Sequence, residues 1–160
     1  MPKQSAGILL YRVKNKKPEV FLGHPGGPFY KNKDNAVWTI PKGEFDEKEE
    51  PFIAAKREFK EEMDLVVEVG AHLYTTDFFQ MSAFNSSHQI ISIYYAAKAL
   101  EPIKAPLRTK PFDFDEREME MYRQTKETET FRFIDWNLFS SETVTLPIDK
   151  VVADLVKSTY

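Results

Sequence analysis

The chain has no cysteine, which excludes disulfide bonds, thiolate metal sites and a cysteine nucleophile. It has six glycines in 160 residues, too few for a collagen-like or Gly-rich low-complexity protein. Neither sign of charge dominates: 25 acidic and 22 basic side chains leave −3. A protein held to nucleic acid or to an anionic membrane by a broad positive field is therefore not expected. No apolar run approaches the ~20 residues of a membrane span. Near the N-terminus, Ile8 to Tyr11 is cut off by Arg12, so there is no signal-peptide core. A cytoplasmic protein is the expectation.

The chain does carry material for a core: 42% hydrophobic residues, among them thirteen Phe. A chain of this length buries roughly 68–70% of its unfolded surface. Residues 1–160 read as one domain, because no linker or repeat divides them. Gln4 to Val13 and Glu19 to His24 read as strands joined by a polar turn. Ala36 to Ile40 reads as a short strand ended by Pro41-Lys42-Gly43. Pro51 suits the first position of a helix that runs to Met63. Val66 to Gln80 and His88 to Lys98 look β-like, and the nearly continuous apolar run of the second places it centrally in a sheet. Residues 101–128, with Pro102, Pro106 and Pro111, read as a long irregular connection. Thr130 to Trp136 reads as a last strand, and Pro147 opens a final helix with Ile148, Val151, Val152 and Leu155 on its core side. Strands and helices mix without strict alternation, which favours a mixed sheet with helices on its faces.

The chemistry concentrates in the helix over 51–63. At 100° per residue, Phe52, Ala55, Phe59 and Met63 form an apolar stripe. Glu58, Glu61 and Glu62 fall on another face at i, i+3 and i+4. Glu58 and Glu62 form a like-charge pair that costs about 0.2–0.5 kcal/mol when exposed. All three lie toward the helix C-terminus, where the macrodipole disfavours anions. A divalent cation reverses both effects, and Mg²⁺ favours one or two carboxylates with retained waters and phosphate oxygens. An acidic face alone is more often merely solvated. The wider string is far more specific: Gly43, five residues, Glu49, seven residues, Arg57-Glu58, Phe59, Lys60, then Glu61-Glu62. With six fixed types at average abundance, a chance match occurs about once in 10⁷ starting positions.

That string resembles the signature of the Nudix hydrolases, a family cleaving nucleoside diphosphates linked to another group. The resemblance implies an α/β/α sandwich around a mixed β-sheet, with the signature forming a loop and helix. It implies that Glu58, Glu61 and Glu62 bind Mg²⁺, with Mn²⁺ as a substitute, near the Gly43 carbonyl. It also implies that Glu49 pairs with Arg57 and locks the loop to the helix. Where the family usually has Gly, this chain has Asp64, a residue tolerant of a left-handed turn. The resemblance further implies that water attacks phosphorus and two phosphorylated products leave. It implies that Glu58 or Glu61 orients or deprotonates the water, or that an acid among Asp113, Asp115, Glu116, Glu118 and Glu120 does so.

Substrate contacts are expected from Lys42, Tyr30, Phe84 and His88: a phosphate-reaching ammonium, two stacking rings and a rim imidazole. Pro41-Lys42-Gly43 resembles the Pro-Lys-Gly of dinucleoside polyphosphate and diphosphoinositol polyphosphate hydrolases. The Gly23 to Tyr30 and Trp38 to Glu44 segments are similar to a bacterial Nudix subgroup of unassigned substrate. The expected function is Mg-dependent hydrolysis of a phosphoanhydride in a dinucleoside polyphosphate or related nucleotide. The alternatives are a silent nucleotide-sensing module and an RNA 5′ pyrophosphohydrolase. The expected partner is a small nucleotide, with no DNA and no membrane, and the protein a monomer or homodimer.

Overall fold

The computed structural model describes residues 1–24, 37–82, 85–110, 112–125 and 128–160. Among these, six strands form one mixed sheet: β1 (Lys3–Lys14), β2 (Lys17–His24), β3 (Lys42–Phe45), β4 (Val67–Thr75), β5 (Ile90–Ala99) and β6 (Thr130–Asp135). The order is β4-β5-β1-β2-β6, with β3 added to β1. Asn15 and Lys16 turn the β1–β2 hairpin in left-handed backbone. Only β1 and β5 run parallel, Lys3 to Tyr11 against Ile90 to Lys98. The apolar run of β5 thus lies between β1 and β4, as its pattern requires.

Period-two alternation sorts β1 onto two cores. Ala6, Ile8 and Leu10 face α1 (Pro51–Met63), where Phe21, Phe59, Met63, Leu65 and Phe131 complete the packing. Leu9 and its neighbours Val20 and Leu22 face the other way, onto Phe139, Ile148, Val152 and Val156, the last three from α3 (Pro147–Thr159). Helices therefore cover both faces. Phe21 is the centre of the first core, with the Phe59 ring 6.1 Å away edge-on and the Phe131 ring stacked at 5.3 Å.

Several elements differ from the sequence reading. β4 ends at Thr75 rather than Gln80. α3 buries Ile148, Val152, Ala153 and Val156, while Val151 and Leu155 are exposed. Within 37–41 no strand forms: Thr39 makes one isolated bridge to Gly23, and the strand begins at Lys42. Trp38 and Ile40 are apolar because they fill the α3-side core as a packed loop beside the buried Val37, and Pro41 has no N–H for a ladder. The connection 101–128 contains a helix, α2 (Glu116–Thr125), with none of its residues buried. A reciprocal cap starts it: Glu118 N donates to Asp115 Oδ1 at 2.8 Å and Asp115 N to Glu118 Oε2 at 2.9 Å. In α1 the buried stripe is Ala54, Ala55, Phe59 and Met63, while Phe52 is half exposed against the Tyr95 ring.

Phe59→Ala removes a ring buried against Phe21, so unfolding free energy in a denaturant titration should fall by about 3–5 kcal/mol. A loss under about 1 kcal/mol would mean that α1 is not held by this core.

Candidate active site

The signature residues come together where β3 meets α1. Pro51 occupies the first helical turn, and Asp64 closes the helix in left-handed backbone, φ 46°. Its N–H donates to the Lys60 carbonyl at 2.9 Å, and its carboxylate takes Lys60 Nζ at 2.5 Å. Aspartate thus makes the turn in which glycine was expected, and the bonded Lys60 holds its carboxyl below the usual range.

Arg57 organises the carboxylates. Its Nε and Nη2 donate to the two oxygens of Glu49 at 2.9 and 2.7 Å, a forked pair that ties the preceding loop to the helix. Those bonds keep the Glu49 carboxyl below its ordinary value. Nη1 reaches Glu58 at 2.5 Å and Glu61 at 3.0 Å. One guanidinium therefore spans three glutamates, and its own proton is held more tightly, first through Glu49 and then through Glu58.

Gly43 lies directly beneath Glu58. A Cβ on Gly43 would overlap the Glu58 carboxylate (Oε2 and Cδ) and the Cγ behind it. Only a residue without a side chain lets the backbone of β3 come this close to the helix.

Glu62 has a different neighbour. Loss of hydration against the surrounding protein, followed by the charge of Glu129 and then Glu58, pushes its carboxyl well above the carboxylate range, although its outer edge is exposed. Glu129 is pushed up as well, by its own burial. Sequence reasoning missed Glu129. Its position continues the alternation of Phe131 and Phe133, whose rings face α1, and that period-two pattern was the available signal.

The other expected residues are dispersed. Lys42 points to the face of β3 opposite Gly43, where Nζ donates to Asp149 at 2.9 Å and to the Ile40 carbonyl at 3.4 Å. His88 lines a separate hollow of about 270 Å³ with Met1, Pro2, Phe79 and Gln89. Asp113 and Asp115 lie against Arg108, the first through its carbonyl, and Glu118 pairs with Arg108 at 2.8 Å. Glu116 and Glu120 are carried on α2. Tyr30 and Phe84 lie outside the described residues.

Among the described residues, no three acidic or histidine side chains are yet drawn together tightly enough to hold an ion. The reason is visible: Arg57 Nη1 pulls Glu58 and Glu61 onto itself. The donor set still fits a hard divalent cation. Glu58 lies over a side-chain-free backbone, and burial disfavours the charged forms of the nearby Glu62 and Glu129 carboxyls.

Comparison with known proteins agrees with this fold. The model of the Nudix domain family matches residues 1–147. The chain belongs to the Nudix family and to its pyrophosphohydrolases, enzymes acting on phosphoanhydride bonds. Among solved structures, the binary complex of a C. elegans Ap4A hydrolase is similar at TM-score 0.66 and 18% identity, covering 98% of this chain and 96% of that one. A Nudix hydrolase from Nitrosomonas europaea is similar at TM-score 0.58 and 16% identity, covering 94% and 67%. A UDP-X diphosphatase is similar at TM-score 0.57 and 16% identity, covering 99% of this chain and 64% of its own. Identities this low speak to the fold. No curated protein matches the sequence significantly.

Gly43→Ala should leave the fold intact, since the overlapping group is the end of a flexible side chain. It should weaken Mg²⁺ binding about tenfold by pushing Glu58 aside. Circular dichroism with calorimetry checks this, and wild-type affinity would detach Gly43 from the site.

Proposed function

We propose that the protein is a Mg²⁺-dependent hydrolase of a dinucleoside polyphosphate or a related nucleotide. The observation that carries this reading is the crowding of Glu58, Glu61 and Glu62 on one face of α1, with Glu129 brought to Glu62 from β6's leading edge. The Pro41-Lys42-Gly43 sequence and the likeness to Ap4A hydrolases support the substrate class.

In this reading Glu58, Glu61 and Glu62 hold the ion, with the Gly43 carbonyl beside them. Mn²⁺ can replace Mg²⁺ there. When bound, the ion neutralises phosphate oxygens and lowers the pKa of water. The chain's own residues do the rest. Arg57 and Glu49 keep the loop and helix in one geometry, so the carboxylates need not reorganise as charge develops. A carboxylate oxygen of Glu58, Glu61 or Glu129 accepts the proton of the attacking water. The bond from phosphorus to the bridging oxygen then breaks, giving two phosphorylated products. Glu129 joins the acids of 113–120 as a candidate from outside the signature; of those acids, Asp115 and Glu118 have their carboxylates paired with Arg108. Residues 1–160 act as one domain, in the cytoplasm, on a small nucleotide and not on DNA, as a monomer or homodimer. Among the described residues, no helix is long and apolar enough to cross a membrane.

The test is a panel of dinucleoside polyphosphates, nucleoside diphosphate sugars and triphosphate RNA, with millimolar Mg²⁺ or with chelator, read by product mass. Metal-dependent release of mononucleotides from the first class is expected. Release only from sugars or RNA would reassign the substrate, and no release from any would remove the enzyme reading. Glu61→Gln should fold normally and lose about a hundredfold or more in kcat, and Glu129→Gln reports whether that acid shares the proton. Undiminished turnover in Glu61→Gln would strike it from the ligand set.

A further inference from the structure

On the face of the sheet opposite α1, a carboxylate is buried completely. Asp149, in the first turn of α3, has no exposed surface. It accepts three hydrogen bonds: from Ile40 N at 3.0 Å, from Lys42 Nζ at 2.9 Å and from Tyr94 OH at 2.6 Å. Burial and the neighbouring Asp149 push the Tyr94 hydroxyl far above its ordinary range, so it stays a neutral donor. The α3 N-terminus favours an anion here, and its N-cap Leu146 supplies no side-chain cap.

A buried ion pair is a poor source of stability, because the desolvation of both ions offsets their attraction. Its effect must be sought in what it fixes. Two of the donors belong to Ile40 and Lys42, which flank Pro41. That proline has no N–H, and its carbonyl takes the Ile8 amide at 3.0 Å. Asp149 thus fastens the residues on either side of the one position that cannot donate. The packing leaves no room to slide. A Cβ on Gly7 would come within 3.0 Å of the Tyr94 ring and 3.2 Å of Lys42 Cβ.

Because side chains alternate along β3, a strand held by Lys42 on the α3 face presents Gly43 to the α1 face beneath Glu58. A small shift of this strand is a shift of the floor under the carboxylates. We propose that Asp149 is a positioning residue for the metal site: by holding Ile40 and Lys42 it sets the placement of Gly43 against Glu58. This rests on reading the α1 carboxylates as the metal face. It also gives Lys42 a defined task, as the tie between the two layers and not as a free phosphate ligand.

The test uses the metal-free full chain and Mn²⁺ as the probe. Mn²⁺ binding by wild type is measured first. Asp149→Asn keeps the shape and removes the charge. In folded Asp149→Asn, Mn²⁺ affinity should fall about tenfold, and the Gly43 amide should exchange its hydrogen faster. A purely architectural role would lower the melting temperature while leaving Mn²⁺ affinity at the wild-type value, and that result overturns the proposal. Should this variant not fold, Tyr94→Phe carries the test, because it removes one donor and keeps the ring. A Mn²⁺ affinity reduced about twofold or more supports the proposal, and wild-type affinity refutes it. If wild type binds Mn²⁺ but hydrolyses nothing, the substrate reading fails and the positioning result still stands. If wild type binds no Mn²⁺, both fall.

Discussion

Like charges gathered on one helix face repel each other, and the structure depends on how that repulsion is contained. Arg57 is the centre of the solution: one planar cation spans Glu49, Glu58 and Glu61. A lysine in its place would offer a point charge and could not serve two directions with fixed geometry. The guanidinium also joins the loop before α1 to the helix body, so a single group balances charge and sets shape. Glu62 is left outside its reach and faces Glu129 instead.

The frame around this helix has two sides with different tasks. Toward α1 the sheet offers aromatic bulk, with Phe21 set between Phe59 and Phe131. Toward α3 it offers an internal polar knot at Asp149, Lys42 and Tyr94 within a largely apolar layer. Apolar packing holds the helix against the sheet, whereas directed hydrogen bonds hold the strand beneath it in register. β3 is the element that both sides grip. It is four residues long, and its importance lies in alternation, with Lys42 on one face and Gly43 on the other.

Much of this was legible in the sequence where the signal was local. The bounds of α1 follow from Pro51 and from the turn at Asp64, and the Glu49–Arg57 pair from the resemblance to the Nudix signature. The apolar run of β5 correctly implied a central strand. The misplacements share a cause. Val37 to Ile40 has strand composition, yet its side chains are apolar because a loop plugs the core, and composition does not separate the two. Lys42 looked available because its counter-ion lies 107 residues away. Glu129 was hidden in a charged stretch whose alternation acquires meaning only once β6 is known to face α1. The α2 helix was overlooked despite a readable Asp115–Glu118 cap, because prolines upstream drew attention to irregularity.

The parallel pairing of β1 with β5 has a consequence for biosynthesis. Ser5 and Ser92 share a buried hydrogen bond of 2.8 Å across 87 positions of chain. β1 therefore waits after its synthesis, with one edge open, until the 87 positions to Ser92 have followed. Through that interval, while Ile8 and Leu10 await α1, the β1–β2 hairpin pairs Tyr11 to Lys14 with Lys17 to Val20. The charged turn at Lys14 to Lys17 rides at its tip, and basic tips of that kind discourage edge-to-edge association.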